Sequence, residues 1–450
     1  MNQNIAKWYE KYAGDVVTLS DDIWHHPESA MEEYHACKVV ADFMRAQGFE
    51  VKEIDAMNEG GTSNCVIATY GSGKPVIGIL GELDALNGLG QEAVPYQSAI
   101  PGPGHGCGHN LMGAGCGAAA AALKATMEAE NLGGTLIYYG CPAEETIAGK
   151  VYMARDGWFD NLDMCIAWHP GGRAPTINEA VSSANTNMNF NFYGKTAHAA
   201  GNPEKGRSAL DAAEIMNIGV NYLREHVSDD VRMHYVYTHG GEKPNIVPDY
   251  AQLHYFVRAK SRAIDDEVVE RVKECARGAS IITGTTTDWS LNAACYETFI
   301  NHSINNFLYE SALKIPAIEW DDKDREFAAT MFKNETGSDP KEDLLPTEVV
   351  KPTGVLGYMA GSTDVSDVSH IVPTAQLMGP GHVKGLPGHH WTVTAASGCS
   401  IGHKAEIYAG KVLAQCGYDA LKNPAAIDAM WAEFKEARKD MSPYKCVLPK

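Results

Sequence analysis

The sequence predicts an α/β protein: a mixed, largely parallel sheet flanked by helices, with a smaller ferredoxin-like α+β domain inserted into it. Three observations predict it. Continuous apolar runs of strand length alternate with helical stretches in the first part of the chain, as strands buried on both faces require. Near Ala184 the texture changes: Met188, Phe190 and Phe192 alternate with Asn187, Asn189 and Asn191, which reads as a strand with one wet face. At 450 residues the chain is also long for one hydrophobic core.

The elements follow in order. Residues 4–48 read as helical, first through Trp8, Tyr9, Val16 and Leu19, then from Glu32-Glu33 to Met44. Lys74-Pro75-Val76-Ile77-Gly78-Ile79-Leu80 predicts a buried parallel strand ending at Glu82-Leu83-Asp84. A helix spans about Leu111–Glu128. The strand Thr135–Tyr139 ends at Glu144-Glu145, and the run Met164–Trp168 ends at His169. These strands deliver acidic or imidazole groups just past their C-terminal ends, where open α/β sheets place their sites. After Ala184 come a helix (206–226), two strands (231–238 and 251–260), a helix (264–282) and a strand (285–291). That β-α-β-β-α-β order is ferredoxin-like. The predicted division is therefore 1–183 with 301–450 as one discontinuous domain, and 184–300 as the insert. A helix at 304–313 and a final one at about 394–415 complete the first domain.

A formal charge of -20 argues against nucleic-acid or anionic-membrane partners, which need a concentrated basic surface, and leaves small molecules. No apolar run approaches the ~20 residues that span a bilayer. The N-terminus lacks the basic-then-apolar pattern of a signal peptide, so a cytoplasmic location is expected. Eleven cysteines, an odd number scattered from Cys37 to Cys446, suggest free thiols.

The densest chemistry is His105-Gly106-Cys107-Gly108-His109-Asn110, two imidazoles and a thiol at every second position before an Ala/Gly-rich helix. Residues two apart in an extended loop point the same way, so Cys107 and His109 can reach one ion. Glu144-Glu145, His169 and His389-His390 add carboxylate and imidazole donors from separate segments. Two divalent ions can lower the pKa of a water and hold a developing oxyanion. In the Glu144-Glu145 pair one side chain can coordinate metal while its neighbour moves a proton. His105 reads as a loop histidine near the site, and only one of His389 and His390 is expected to bind. A Cys107 nucleophile assisted by His109 is the competing reading. It fits poorly at a separation of two residues and leaves Glu144, Glu145, His169 and His389 without a role.

These residues resemble the dinuclear metallopeptidases that include aminoacylase, carboxypeptidase G and hippurate hydrolase. The resemblance lies in Gly81-Glu82-Leu83-Asp84-Ala85-Leu86, the Cys107-Gly108-His109 motif, Pro142-Ala143-Glu144-Glu145, Ala197-His198-Ala199-Ala200, Ser362-Thr363-Asp364-Val365 and the late histidines. It implies Cys107, His109, Glu145, His169 and His389 as ligands of two divalent ions per subunit, manganese or zinc. It further implies Glu144 as general base and Asp84 as the carboxylate orienting a ligand. His198 would stabilise the oxyanion across a dimer interface, and Asn245 and Arg258 would hold the substrate carboxylate. The inserted domain would then be a lid and dimerisation domain, in a homodimer or a heterodimer with a related subunit. The activity implied is hydrolysis of an N-acyl, aryl-acyl amino acid, with p-aminobenzoyl-glutamate the leading candidate. A dipeptidase or general aminoacylase, and a catalytically silent ligand-binding paralogue, are the alternatives. Departures occur where hippurate hydrolases carry Arg-Ala-Asp-x-Asp-Ala-Leu, Gly-His-Asp and Gly-Ser-Glu-Asp-Phe. This chain has Leu80-Gly81-Glu82-Leu83-Asp84-Ala85-Leu86, Gly108-His109-Asn110 and Gly361-Ser362-Thr363-Asp364-Val365.

Overall fold

Apolar residues on one helical face build α1 (Gln3–His25), which buries Ile5, Trp8, Tyr9, Val16, Leu19 and Ile23. A second helix, α2 (Tyr34–Ala46), buries Ala36, Cys37, Val40, Ala41 and Met44. The residues between them leave the helix, because Pro27 disfavours a helical residue before it and Met31 turns to a positive φ of 69°. Strands β1 (Glu50–Ile54) and β2 (Cys65–Ser72) pair antiparallel. The apolar run after Pro75 forms β3 (Val76–Glu82), buried along its whole length. Then come α3 (His109–Glu130), β4 (Gly134–Cys141), α4 (Gly149–Arg155), β5 (Met164–His169) and the short β6 (Thr176–Ile177).

The next stretch supplies β7 (Ala180–Ser182), β8 (Ala184–Tyr193), α5 (Ala209–Leu223), β9 (Arg232–His239), β10 (Tyr250–Ala259), α6 (Arg262–Thr283) and β11 (Thr286–Cys295). The alternation expected of this region is clearest in β10, which is alternately buried and half-buried from end to end. Strands β8 to β11 form an antiparallel sheet in the order β11-β8-β10-β9, the ferredoxin-like arrangement. Phe190, Phe192, Leu253, Tyr255 and Val257 pack there against Ala212, Met216, Val220, Val272 and Ala276.

The chain then forms α7 (His302–Ala312), α8 (Asp322–Thr336), β12 (Gly357–Met359), α9 (Val365–Ser369), β13 (Thr374–Met378), α10 (Trp391–Ser397), α11 (Ser400–Lys422) and α12 (Pro424–Ala437). The final predicted helix is broken between α10 and α11 at Gly398, where the Trp24 indole stands within 2.4 Å of the place a Cβ would take. Strand β13 escapes the apolar-run criterion because Thr374 and Gln376, both buried, interrupt it. The large sheet runs β1-β2-β4-β3-β5-β13-β6. Its central four strands, β4-β3-β5-β13, are parallel, and the edges are antiparallel.

The computed structural model describes residues 1–449, which divide into two compact units. The first comprises Met1–Ala180, Phe299–Gly357 and Val368–Lys445, and holds the large sheet. The second comprises Val181–Thr298, Tyr358–Asp367 and the short C-terminal segment from Cys446. Among the described residues no helix is long and apolar enough to cross a membrane.

Candidate metal centre

Parallel pairing brings the chemistry to one edge of the large sheet. Glu82 ends β3 and lies in register with Cys141, the end of β4, while His169 ends β5. Asp84 follows two residues after Glu82, and Glu144 and Glu145 follow Cys141 after Pro142 and a left-handed Ala143 (φ 55°). Cys107 and His109 arrive from the start of α3. Gly108 caps that helix at φ 81°, and a Cβ there would stand 2.7 Å from the Pro170 ring. A left-handed residue tight against a neighbouring ring is a glycine position.

The donor atoms converge. Cys107 Sγ lies 3.3 Å from His169 Nε2. His109 Nε2 lies 3.2 Å from Glu82 Oε2 and 3.9 Å from Glu145 Oε1, and His389 Nε2 is 3.4 Å from Glu145 Oε2. At this sheet edge three groups of donors each fall within 4.8 Å of one another: Cys107-His109-His169, Cys107-Glu145-His389, and Glu82-His109-Glu144. The first two share the Cys107 sulfur and together contain all five residues expected as ligands.

Neighbouring groups aim the rings. Asp84 Oδ1 is 3.0 Å from His109 Nδ1, and Asp84 Oδ2 accepts a 2.9 Å hydrogen bond from the Glu145 backbone N–H. One carboxylate thus positions two donors. His169 Nδ1 donates to the Pro170 carbonyl at 2.7 Å. With each Nδ1 so engaged, both Nε2 atoms face the cluster, as metal-binding imidazoles do. His109 Nε2, Glu82 Oε2 and Glu145 Oε1 are buried with no hydrogen-bond partner among the described residues. Orphaned buried polar atoms are costly, and a soft thiolate with imidazoles and carboxylates is a donor set that fits a divalent cation. Burial raises the Cys107 thiol and pushes the Glu145 carboxyl up to about 7. A bound cation favours the deprotonated form of both.

Other predicted residues separate. His105 is buried with Nε2 3.2 Å from the Ile23 carbonyl, outside the three donor groups. His390 turns away, to within 3.6 Å of Glu335, whereas His389 adopts a left-handed φ of 50° that swings its ring toward Glu145. His26 and His35 lie apart from this cluster, against Asp22, at 2.9 and 3.1 Å.

In the second unit, His198 is exposed, and its Nδ1 accepts hydrogen bonds from the backbone N–H of Ala200 and Gly201 at 3.2 and 3.0 Å. Its proton therefore sits on Nε2. The Asn245 carbonyl accepts from Ala199 N–H at 3.0 Å, locking its segment to the His198 turn. Arg258 Nη1 donates to Ser362 Oγ at 3.0 Å, the serine that this chain shares with the hippurate-hydrolase pattern and that precedes the departure at Thr363.

Sequence reading missed the roles of four residues. Glu82 and the fully buried Lys150 form a 2.7 Å pair. His382 is half-buried, with its Nε2 sealed from solvent and unpartnered among the described residues, and desolvation, then His169 and His109, push it down to about 3. Glu33 Oε1 accepts from Ala143 N–H at 2.8 Å and Met31 N–H at 2.9 Å, holding the turn that presents Glu144 and Glu145. Burial, then the Asp84 carboxylate, push Glu33 up to about 8. Glu33→Ala would orphan the Ala143 N–H, so the expected loss is about 1–3 kcal/mol, read from urea unfolding of wild type and variant.

Comparison with known proteins places this edge in context. Residues 78–398 match the model of peptidase family M20/M25/M40. One subunit of the p-aminobenzoyl-glutamate hydrolase of Escherichia coli (strain K12) is 36% identical over 96% of this chain and 94% of its own. The Xaa-Arg dipeptidase of Mus musculus is 30% identical over 75% of this chain and 71% of its own. A solved Bacillus subtilis structure, a dinuclear metal binding peptidase, shares the fold with a TM-score of 0.59 at 17% identity, covering 92% of this chain and 99% of its own. With a match over most of its length, the chain belongs to peptidase family M20/M25/M40, whose members are metal-dependent hydrolases of amide bonds, and the family implies two divalent ions.

Proposed function

We propose that the chain is a cytoplasmic amidohydrolase that cleaves an N-acyl, aryl-acyl amino acid, with p-aminobenzoyl-glutamate, split to p-aminobenzoate and glutamate, as the leading substrate. The observation that carries this reading is the convergence of Cys107, His109, Glu145, His169 and His389 beside the buried Glu144. Similarity along nearly the full chain to the E. coli p-aminobenzoyl-glutamate hydrolase supports the substrate, and eleven free cysteines support a reducing compartment.

The five residues would hold two divalent ions. When bound, these ions supply acidification of the attacking water and charge stabilisation of the carbonyl oxygen. Manganese suits the carboxylates and zinc the thiolate and imidazoles. Glu144 takes a proton from the water as its oxygen attacks the amide carbon. The carbon–nitrogen bond then breaks, and Glu144 returns the proton to the departing amine. His198, with its proton on Nε2, donates to the tetrahedral oxyanion. Arg258 and Asn245 hold the free carboxylate of the substrate, a task to which the planar guanidinium is suited.

His198 is assigned to the site of the partner, in a homodimer or in a heterodimer with a related chain. The E. coli hydrolase is named as having two kinds of subunit, both similar to this chain, which supports the heterodimer. His198→Ala should leave metal content intact and lower kcat by about 100-fold or more, the scale of one oxyanion donor. Mixing inactive Glu144→Ala with inactive His198→Ala should restore activity, and no recovery would remove the trans assignment. The dipeptidase reading is favoured by the 30% identity to the Xaa-Arg dipeptidase. Mass-spectrometric product identification, with metal-loaded protein and a panel of N-acyl amino acids and dipeptides, separates the two. Turnover of none of them would sink the hydrolase reading.

A further inference from the structure

Glu82 is outside the five-residue set, yet its Oε2 stands closer to His109 Nε2 than Glu145 does, 3.2 Å against 3.9 Å. Its other oxygen, Oε1, lies 2.7 Å from Lys150 Nζ, and both side chains are sealed from solvent. Lys150 reaches this depth because α4 begins at Gly149, packed so tightly on the Pro142 carbonyl that a Cβ would stand 1.8 Å from the oxygen.

A buried ion pair contributes little net stability, because desolvation of both charges offsets their attraction. Packing alone therefore does not account for a lysine and a glutamate at the end of an otherwise apolar strand. The pair leaves Glu82 Oε2 unsatisfied and directed at His109 Nε2, itself unsatisfied. Donor atoms of Glu82, His109 and Glu144 all lie within 4.8 Å of one another.

We infer that Glu82 is a further donor to the metal pair, presenting Oε2 to the ion held by His109, and that Lys150 is a positioning residue that fixes the carboxylate through Oε1 and offsets its charge. This rests on the metal-centre reading above. The lysine lets the centre carry one more carboxylate without excess negative charge, and the added hard oxygen shifts the ion's preference toward manganese relative to a site of thiolate and imidazoles.

The test is Mn2+ binding by the full-length chain, measured as ions per chain by elemental mass spectrometry and as affinity by chelator competition. It uses wild type, Glu82→Gln, Lys150→Met, the double variant, and His169→Ala as a variant lacking an assigned ligand. Wild type should bind two ions. Glu82→Gln and Lys150→Met should each weaken one of them by about 10–100-fold, the scale seen when groups supporting a metal site are removed. In the double variant neither buried charge is left unpaired, so the metal-free protein should melt near the wild-type temperature and still bind that ion weakly. A folded double variant that binds two ions at wild-type chelator concentrations would overturn the inference while leaving the metal centre standing. A wild-type chain that takes up no ion, or a His169→Ala variant indistinguishable from it, would overturn both.

Discussion

Replacing Glu144 with glutamine should reduce kcat by about 10²–10⁴-fold, the range attributed to a positioned general acid-base group, with two ions still bound. Glutamine keeps the shape and hydrogen-bonding reach of the side chain but cannot accept a proton from water or return one to the leaving nitrogen. Glu144 is buried and its carboxylate lies within 4.8 Å of the facing atoms of Glu82 and His109. A substituent change there is felt by the centre without exposure to bulk solvent. The measurement is steady-state kinetics on the metal-loaded variant beside a metal count. Activity within about threefold of wild type, far short of the loss of a general base, would remove Glu144 from the proton path and return attention to Cys107 as nucleophile.

The second large effect concerns the ions. Exhaustive chelation should abolish turnover, and Cys107→Ser or His169→Ala should lower ion content and prevent restoration of activity by added Mn2+ or Zn2+. Because Cys107 belongs to both donor groups drawn from the five residues, its loss should weaken both ions, whereas His169 belongs to one of them. Binding only to the folded state also stabilises it, by about 2.7 kcal/mol when the free ion is about 100 times its Kd. The melting temperature of wild type should therefore rise with added ion, and that of Cys107→Ser should rise less. Activity that survives exhaustive chelation is the result expected of a cysteine hydrolase.

The parts of this molecule that were legible in the sequence are those written in local patterns. The spacing Cys107-x-His109 announces itself because two donors two residues apart share a direction. The strands that lead to Glu82, to Glu144-Glu145 and to His169 could be read because β3, β4 and β5 are short, largely apolar runs followed closely by those polar residues. The alternation of β8 and β10 gave the ferredoxin-like sheet for the same reason. Strands β1, β2 and β13 were not legible: the edge pair is only partly buried, and β13 carries two polar residues into the core.

Lys150 is the clearest example of information that only folding supplies. Nothing in its neighbourhood in sequence marks it as buried, and its partner Glu82 lies 68 positions away. Glu33 likewise meets Ala143 across 110 positions. The presence of Glu82 was visible as a departure from a family pattern. Its meaning became visible only once folding set its carboxylate against His109 at the start of α3.

Anomalous diffraction at the manganese edge from crystals grown with MnCl2 tests the central claim most directly. Two peaks are expected beside the C-terminal ends of β3, β4 and β5, with Cys107, His109, Glu145, His169 and His389 as protein ligands and Glu144 adjacent. Manganese peaks bound elsewhere, or no peak within coordination distance of Cys107 and His109, would contradict it.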